Sequence, residues 1–561
     1  MLTVLSRFLL VSLTMDAILA EVTIHRRRQA LCRLSNGLGL QDAYDTTLDR
    51  IRQQGGSKKN LGMQTLMWIS HSKRPLRSEE LCYALGVELG VENFNVANVP
   101  SIRSVLGCTL GLVTIDEKAS TLHLLHHTLQ EYLRQQSTLF ITPYSMMAEI
   151  CLTYLNSFQP DDPGLVEAPF VEYATCFWGT YARRGVTAKV KSLSLRLLSA
   201  FENHVLSAIF WRKKILKWDS EGDVQGISGL HSIAFWGIPE IGTAMLEMKR
   251  WDVNRRDSRG DTPLMWAVEY GNNLMVQLFL GQQDIEPDMV IQHGRTALSF
   301  AAESGNEGIV KLLLERSDVN PNSSDKNGRT PLSFAVWSRN KGVVKLLLER
   351  GDVDPNLSEN GGRTPLSLAV SKGHEGIVKL LLERGDVNPN SPDNNGRTPL
   401  SFAVWDKGLV KLLLEHRGVN PDLPDHHGRT LLSWFSGWGD EGGVKLLLER
   451  GDVNLDSLDR DGRTPLSYAA EWGRKGVAKM LLERRDINPD LADHDGRTPL
   501  SYAAEWGAGG VVQLLLRRQD VKPNSPDSNG RTPLAYAARR GREGVVKLFP
   551  GTQEYRSRLV G

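Results

Sequence analysis

The stretch Asn-Gly-Arg-Thr-Pro-Leu, from Asn327 to Leu332, recurs in near-copies through the C-terminal half of this 561-residue sequence. Successive threonines of the copies lie 34 residues apart, except for one step of 32 residues between Thr398 and Thr430. A fixed period of about 20–50 residues is typical of stacked repeats. A degenerate copy at Ser228 extends the series, so the sequence predicts about ten units between residues 222 and 550. The repeat threonines are Thr262, Thr296, Thr330, Thr364, Thr398, Thr430, Thr464, Thr498 and Thr532.

The sequence of each unit predicts two helices joined by a tight turn. Thr364 can cap the first helix through its hydroxyl, and Pro365 suits the first helical position because its missing N–H is not needed there. Apolar residues then recur at the spacing of one helical face. Gly373 ends this helix, and a second apolar helix follows over residues 375–384. One unit is too small to bury its own apolar face, so neighbouring units must stack.

This unit closely resembles the ankyrin repeat, whose sequence pattern is Thr-Pro-Leu-His-x-Ala. The resemblance implies a mainly α fold with an ankyrin-repeat solenoid of about ten repeats. The histidine of the pattern is kept only in the degenerate copy, as His231. We therefore expect the hydrogen bonding of that histidine to be weaker or rewired in the seven copies that have serine. These serines are Ser299, Ser333, Ser367, Ser401, Ser433, Ser467 and Ser501.

The region before the repeats predicts a winged-helix-like domain over residues 61–140, because three helices are followed by a β-hairpin and one further helix. The helices are expected at 61–69, from the N-cap Ser78, at 100–106 and after His126. The two strands of the hairpin are expected at 110–115 and 121–125. Residues 1–60 are expected to be helical, with a basic patch at Arg26 to Arg28. Residues 141–221 predict a packed helical bridge, because aromatic residues recur there at helical spacing. The bridge helices are expected at 145–157, 169–184 and 189–217.

A narrower resemblance covers residues 8–215. It rests on the apolar stretch from Phe8, on Gly62-Met-x-x-Leu-Met-Trp-Ile-Ser-His-Ser, on Gly111-Leu-Val-Thr and on His127-Thr-Leu-Gln-Glu-Tyr-Leu. These segments are similar to the region between the NACHT nucleotide-binding domain and the ankyrin array of fungal NACHT–ankyrin proteins. That family belongs to the signal-transduction NTPases and is similar to innate-immune (NLR-like) receptors.

The resemblance implies a fixed domain order. The segments are 1–60 (the end of a NACHT-type region), 61–140 (winged helix), 141–221 (helical bridge), 222–550 (ankyrin repeats) and 551–561 (frayed tail). The NACHT domain itself should precede residue 8, where this sequence leaves no room for it. The chain is therefore either a truncated family member or the C-terminal part of a NACHT NTPase encoded by a longer gene.

Composition narrows the class of partner. A formal net charge of +2 gives no reason to expect nucleic acid or an acidic membrane as the main partner. The five cysteines are scattered and odd in number, which indicates a reduced, cytoplasmic protein. No apolar run is long enough to span a bilayer. A signal peptide over residues 1–20 stays open as an alternative, although Asp16 interrupts its apolar run.

No catalytic, cofactor or metal site is predicted. Gly-Gly-Ser-Lys within residues 54–60 lacks the rest of the phosphate-loop pattern and predicts a flexible loop. His123, His126 and His127 lie close in sequence, but their spacing favours an ordinary interface over a metal site. The predicted recognition helix of the winged helix carries Arg103 as its one basic residue, so base recognition in DNA is an alternative that the sequence disfavours.

Two charged columns accompany the repeats. A carboxylate lies five residues before most repeat threonines, and an arginine lies directly before them. Turn stabilisation is the favoured interpretation, and a docking stripe for a charged partner is the alternative. The carboxylates are Asp257, Asp325, Glu359, Asp393, Asp425, Asp459, Asp493 and Asp527, and the arginines are Arg295, Arg329, Arg363, Arg397, Arg429, Arg463, Arg497 and Arg531.

Aromatic residues occupy two further positions of the first helices. Four residues after the threonine (+4) they are expected to pack against the neighbouring repeat; these are Trp266, Phe300, Phe334, Phe402, Trp434, Tyr468, Tyr502 and Tyr536. Seven or eight residues after it (+7 or +8) they predict a binding surface for a protein ligand of unknown identity. At about 100° per residue all three positions point away from the core, so partner binding at +4 and packing between repeats at +7 and +8 stay open as alternatives. In the ankyrin family the first helices line the concave surface. This aromatic stripe consists of Tyr270, Trp337, Trp405, Trp438, Trp472 and Trp506.

Two local irregularities give structural predictions. The 32-residue step lacks two residues in the turn between paired helices, so we expect a shortened or distorted helix end near Asp406. In the last unit Pro550 should stop the second helix early and leave a frayed C-terminus.

Overall fold

The computed structural model describes residues 23–35, 40–91, 93–136, 138–159, 168–200, 226–291 and 293–549. The chain divides into two compact units, residues 1–286 and 287–561. Three predictions fall outside the described residues: the apolar helix near residue 8, the last part of the helix expected to reach residue 217, and the frayed tail. Both units are mainly helical, which confirms the predicted fold class.

The first unit contains the elements of a winged helix. Among the described residues, five α-helices precede a two-stranded antiparallel hairpin, in which Val113 pairs with Leu124, and one helix follows. The last three of the five, the hairpin and the helix after it are the elements of the winged helix. The order of helices and hairpin agrees with the sequence prediction. The elements are α1 Ile24–Ser35, α2 Leu40–Arg52, α3 Gly56–His71, α4 Ser78–Leu85, a 3-10 turn Val96–Asn98, α5 Ile102–Cys108, β1 Val113–Asp116, β2 Thr121–Leu124 and α6 His127–Gln135.

Two local predictions in this region are wrong. The Gly-Gly-Ser-Lys segment is not a loop, since α3 begins at Gly56 and the residues up to Asn60 form its first turns. Ser78 is the first residue of α4 and not its cap. The backbone N–H of Arg77 donates to the Glu80 carboxylate at 2.8 Å, so an acidic side chain inside the helix satisfies the helix start instead.

The bridge helices pack through the aromatic residues that the sequence places at helical spacing. They are α7 Pro143–Asn156, α8 Val171–Ala182 and α9 Ala188–Ser199. Phe170, Tyr173 and Tyr181 are fully buried. The ring of Trp68, from α3, meets that of Phe170 edge-on with centroids 5.6 Å apart. The bridge is therefore packed against the winged helix by an aromatic core.

The repeats follow as pairs of short helices. In the first unit they are α10 Gly229–Trp236, α11 Pro239–Glu247, α12 Pro263–Glu269 and α13 Asn273–Leu280. In the second unit they are α14 Ala297–Ser304, α15 Glu307–Leu314, α16 Pro331–Trp337, α17 Lys341–Glu349, α18 Pro365–Ser371, α19 Glu375–Leu382, α20 Pro399–Phe402, α21 Lys407–Glu415, α22 Leu431–Trp438, α23 Glu441–Arg450, α24 Pro465–Glu471, α25 Lys475–Leu482, α26 Pro499–Trp506, α27 Gly509–Leu516, α28 Pro533–Arg539 and α29 Glu543–Val546.

Each repeat threonine starts its first helix in the same way. The hydroxyl of Thr364, for example, accepts the N–H of Ser367 at 3.3 Å, and Pro365 follows at the first helical position. This side-chain cap recurs at all nine repeat threonines. The three apolar residues that follow, at +2, +5 and +6, form the core; Leu366 and Val370 are at most 2% exposed.

The change from histidine to serine rewires the hydrogen bonds as expected. Nε2 of His231 bonds the carbonyl oxygen of Asp261 in the next repeat at 3.0 Å, while Nδ1 bonds the Ser228 cap. The hydroxyl of Ser367 instead donates to the carbonyl of Thr364 in its own repeat, at 2.9 Å. The histidine link between neighbouring repeats is thus replaced by a bond within one repeat.

Both predicted irregularities at helix ends are confirmed. Within the 32-residue step from Thr398 to Thr430, α20 has only four residues, whereas the corresponding helices of the neighbouring repeats have seven or eight. Asp406 then caps α21 by accepting the N–H groups of Gly408 and Leu409. The second helix of the last repeat, α29, also has only four residues.

One repeat exchanges a large and a small core residue. Position +5 is alanine in the other repeats of the second unit, but it is Phe435 after Thr430. The partner position in the second helix holds an aliphatic residue elsewhere, but it is Gly443 here. A Cβ atom at Gly443 would lie 2.6 Å from the Phe435 ring. The ring therefore fills the space that the missing side chain leaves.

We predict strong coupling between Phe435 and Gly443. Phe435→Ala should destabilise the array by about 3–5 kcal/mol because it opens a cavity, and Gly443→Val by about 1–3 kcal/mol because it overfills the core. The double variant restores the Ala/Val pair of the other repeats and should unfold near the wild-type urea midpoint, followed by circular dichroism. Additive losses in the double variant would contradict this packing.

In the connector between repeats, some repeats have aspartate where others have asparagine. Asn322 accepts the backbone N–H of Asp354 at 2.9 Å and donates to the carbonyl of Asp352 at 2.7 Å, and so ties two turns together. Asp456 and Asp490 occupy the same position in later repeats. One oxygen of each accepts a backbone N–H, while Oδ1 is buried without a donor among the described residues. Burial raises the pKa of both carboxyl groups.

We predict that Asp456→Asn and Asp490→Asn each stabilise the protein by about 1 kcal/mol at neutral pH, since the amide restores the missing bond. A carboxyl group whose folded pKa is raised loses stability as the pH rises from its unfolded pKa of about 3.9 to the folded pKa, so the gain should shrink as the pH falls towards about 4 and be smallest below it. Urea unfolding at several pH values measures the effect. The matched reverse variant, Asn390→Asp, should lose stability at neutral pH; a gain there would refute the assignment.

Candidate functional site

The +4 aromatic residues are used inside the array. Trp266, Phe334, Tyr502 and Tyr536 are buried. Those with a polar group bond the carboxylate five residues before the repeat threonine: the Tyr502 hydroxyl donates to Asp493 at 2.5 Å. These bonds hold the polar +4 rings on the turn of their own repeat, a contact that the sequence pattern alone did not indicate. Direct packing of each +4 ring against the neighbouring repeat stays a prediction.

The carboxylate column holds the turns. Oδ1 of Asp493 accepts the backbone N–H groups of Asp495 and Arg497, at 3.0 and 2.8 Å. Asp257, Asp325, Asp393, Asp425, Asp459 and Asp527 make the corresponding pairs of bonds. These contacts support turn stabilisation as the role of the column.

The arginine column runs between aromatic rings. The guanidinium of Arg497 lies 4.1 Å from the ring centroid of Tyr502 and 4.6 Å from that of Tyr536 in the next repeat. Arg295 lies in the same way between Phe300 and Phe334, at 3.8 and 4.4 Å. Arginine and ring together form a cation–π ladder, so these charges belong largely to the scaffold.

The +7 and +8 positions differ from +4 in exposure. Trp405 is 83% exposed, Trp472 61% and Trp506 52%. Trp337, Trp438 and Tyr270 are exposed to 46, 39 and 36%. Tyr270 lies in the first unit and the five tryptophans lie in the second. Exposed tryptophan on this scale is unusual for a surface whose only role is solubility.

Three tryptophans of the second unit meet around the shortened helix α20. The rings of Trp405 and Trp438 are stacked, with centroids 4.7 Å apart and planes 21° from parallel. Trp438 also contacts Trp434, at 4.9 Å. Because α20 ends at Phe402, Trp405 lies in the turn and not on a helix. The deletion of two residues thus brings the ring of one repeat onto that of the next.

Two cavities flank this tryptophan cluster. One of about 440 Å³ is bordered by Trp438 and Trp472, with Arg474 at its rim. The other, of about 360 Å³, lies between Trp405 and Trp434. Pockets of about 300–1,000 Å³ are the usual size for a site that accepts a compact apolar group. Sequence analysis identified the rings but not the cavities, which depend on how neighbouring repeats stack.

The acidic side chains at this surface already have partners. Arg463 pairs with Glu471, and Asp425 accepts hydrogen bonds from Arg429. Burial raises the pKa of Asp425, but the hydrogen bonds from Arg429 outweigh it and hold the pKa below its usual range. Arg474 is exposed and forms no ion pair within the described residues; its Nε donates to the carbonyl of Gly437 at 3.0 Å.

Two of the first-unit histidines that lie close together in the sequence make ordinary hydrogen bonds. His123 hydrogen-bonds Thr121 at 2.8 Å, and His126 caps α6 by accepting the N–H of Thr128. Within the described ranges, no group of three His, Cys, Asp or Glu side chains is placed to hold a metal ion. An open groove of about 1440 Å³ lies beside α3 and α5, with Lys58 and Arg103 in its wall.

Stacked pairs of antiparallel helices with an exposed side-chain stripe define a class of protein: a repeat-built module for binding other proteins. Residues 272–359, 351–425, 401–493 and 485–554 match the family model described as ankyrin repeats (3 copies). These matches cover just over half of the sequence, and the chain belongs to the ankyrin-repeat family. Ankyrin repeats are a protein–protein interaction module.

Residues 48–140 match a second family model, described as the winged helix domain of GPI inositol-deacylase. Among solved structures, the ankyrin repeat domain of Bcl-3, described as a unique member of the IkappaB protein family, is 29% identical, covers 40% of this chain and 100% of that one, and has a TM-score of 0.37. No curated protein matches the chain. In the part of the chain that the structure describes, no helix is long and apolar enough to cross a bilayer.

We predict that the carboxylate column gives the array a defined sensitivity to acid. Burial raises the pKa of Asp527, but hydrogen bonds from Tyr536 and from the backbone of Arg531 and Asn529 outweigh it and lower the pKa to about 2. A depressed pKa contributes stability above the unfolded value of about 3.9, and this is lost as the pH falls through 2. Asp527→Asn should therefore unfold at lower urea than wild type at pH 7, and the difference should vanish near pH 2. A constant difference across this range would contradict the role of the charge.

Proposed function

We propose that this protein is a non-enzymatic interaction scaffold whose ankyrin array recognises a protein ligand through the aromatic stripe. The ligand lies across the first helices of the repeats, which line the concave surface in the ankyrin family. The stripe is Tyr270, Trp337, Trp405, Trp438, Trp472 and Trp506. No nucleic acid, membrane, cofactor or metal is part of this proposal.

The observation that carries the proposal is the contrast between two aromatic positions of the same helix. Tyr502 is 7% exposed and bonded to Asp493, whereas Trp506, one helical turn later, is 52% exposed. The array therefore uses the first ring for stacking and presents the second to solvent. Tryptophan and tyrosine are among the residues most enriched at binding hot spots, because they cover a large area at low conformational cost.

The test compares the full chain with variants of the stripe. Trp472→Ala and Trp506→Ala should each weaken capture of a specific protein partner by at least about tenfold, since hot-spot truncations cost about 2 kcal/mol or more. Partners are identified by affinity capture and mass spectrometry, and affinities are then measured with the purified partner.

Leu458→Ala is the matched control. Leu458 is 49% exposed but lies in a connector, outside the stripe. This variant should bind like wild type, and circular dichroism should show that all three variants are folded. Unchanged affinity of the two tryptophan variants for the identified partner would remove the basis of the proposal.

The finer proposal is that the chain is the recognition part of a fungal NLR-like signalling receptor in the cytoplasm. The match of residues 48–140 to a winged helix domain supports it, because that domain precedes the array in NACHT–ankyrin proteins. Of the five cysteines, Cys82, Cys108 and Cys151 are buried with free thiols, as suits a reducing compartment. An in-frame phosphate-loop pattern in the genomic sequence upstream of the Met1 codon would show that the complete gene encodes a NACHT NTPase.

A further inference from the structure

The second unit combines its exposed tryptophans with unpaired positive charge. Arg339, Lys372, Arg474 and Arg539 are exposed, lie on the first helices or the turns that follow them, and form no ion pair among the described residues. Lys372 lies with Nζ 3.7 Å from the ring centroid of Trp337. These cations therefore face solvent next to the aromatic stripe.

The carboxylates of the same turns are all engaged. Asp406 caps α21, and Asp440 accepts from Lys407 at 2.9 Å. Glu471 pairs with Arg463, and Glu505 pairs with both Arg497 and Arg540. Because these four carboxylates have internal partners, they do not neutralise the exposed cations of the same turns.

Arg474 is fixed beside the larger cavity. Its Nε donates to the carbonyl of Gly437, and a Cβ atom at Gly439 would lie 2.7 Å from its side chain. The missing side chain at Gly439 thus makes room for an arginine that crosses from the next repeat. A held guanidinium at the mouth of a pocket walled by Trp438 and Trp472 is suited to a carboxylate that follows an apolar group.

We propose that the two cavities around Trp438 receive two large apolar side chains from an acidic segment of the partner protein, and that Arg474 and Lys372 bind the carboxylates beside those anchors. This inference rests on the proposed function and names the chemistry of its ligand. The pockets supply the affinity through buried apolar area, and the cations select for an acidic segment.

Single-stranded nucleic acid also combines rings with negative charge, and it is the main competing occupant. The structure favours protein because the eight arginines before the repeat threonines are held by carboxylates or rings, which leaves scattered cations instead of a continuous basic track. Two discrete pockets also suit side-chain anchors better than a row of stacked bases.

The experiment selects ligands for the full-length chain from a displayed library of random linear peptides. We expect the selected sequences to combine aromatic or large aliphatic residues with Asp or Glu. A fluorescent copy of the best peptide is then titrated by anisotropy, together with a matched peptide in which each acidic residue is replaced by its amide. The amide peptide should bind at least about tenfold more weakly, and binding of the acidic peptide should weaken with added salt.

Variants locate the site. Trp438→Ala and Arg474→Glu should each weaken binding of the acidic peptide by about tenfold or more. Lys372→Glu is the second charge variant: because the Lys372 side chain makes no bond to the backbone of the described residues, its effect on binding cannot come from a lost backbone bond. Leu458→Ala should have no effect. Selection of peptides without acidic residues, unchanged affinity in both charge variants, or failure to select any peptide would overturn the inference. Competition by a single-stranded oligonucleotide that depends on Trp438 would overturn it in favour of nucleic acid.

The two proposals fail separately. If binding depends on Trp472 and Trp506 but shows no preference for acidic peptides, the aromatic stripe stands and the assignment of an acidic partner is wrong. If binding does not depend on the tryptophans, the proposed function itself is wrong.

Discussion

Most repeats of the array depend on a carboxylate that is buried in the turn between repeats. One oxygen accepts two backbone N–H groups of that turn, and in several repeats the other accepts the hydroxyl or indole N–H of the +4 ring. A buried charge is stable only when its hydrogen bonds are satisfied, so this carboxylate fixes the turn geometry of the repeats in which it is aspartate. Ile291 takes its place before Thr296, and Glu359 before Thr364. The repeat threonine then always starts the first helix at the same place. The residues at +7 and +8 consequently follow the helix start at a fixed distance in each repeat, at the end of the first helix or in the turn after it.

The links between repeats are varied, although the turns are uniform. Side chains from the turn between paired helices also reach across to the neighbouring repeat, both where His231 is kept, through Asn272, and where serine replaces the histidine. Asn340 donates to the carbonyls of Ala302 and Glu303, and His374 bonds the carbonyl of Val336. Each of these bonds satisfies a carbonyl at the end of the preceding first helix. Several different side chains can do this because the exposed carbonyl, and not a particular partner, sets the requirement.

The surface around Trp438 arises from an irregularity in an otherwise regular stack. Two missing residues shorten α20, place Trp405 in a turn and allow it to stack on Trp438. In the same neighbourhood Phe435 and Gly443 exchange the usual sizes of two core positions. Each change alters one repeat, while the helix caps and turns on either side stay the same. A rigid scaffold with local exceptions is a physical basis for specific recognition in a repeat protein, because the exceptions make one region unlike the others.

The sequence by itself determined the fold class, the repeat period, the caps, the winged-helix order of elements and the short helix after Thr398. All of these follow from local rules: a threonine and a proline start a helix wherever they occur in this context, and two missing residues must shorten the turn they are taken from. At about 100° per residue, sequence spacing placed +4, +7 and +8 on one side of the helix, so it did not by itself separate the more buried +4 rings from the exposed rings at +7 and +8. It failed at Ser78, where a glutamate three residues after the cap satisfies the helix start, and at Gly56, where a segment rich in glycine is helical.

Only the tertiary structure decided which charges are free and where apolar groups can enter. Arg463 and Arg474 look alike in the sequence, but one lies against rings and a carboxylate of its own scaffold while the other crosses to the preceding repeat and stays exposed. The two cavities beside Trp438 have walls from different repeats, and the Phe435–Gly443 exchange joins two helices. Such features depend on distances between residues about thirty positions or more apart, or across a helix pair, and periodicity along one helix carries no information about them.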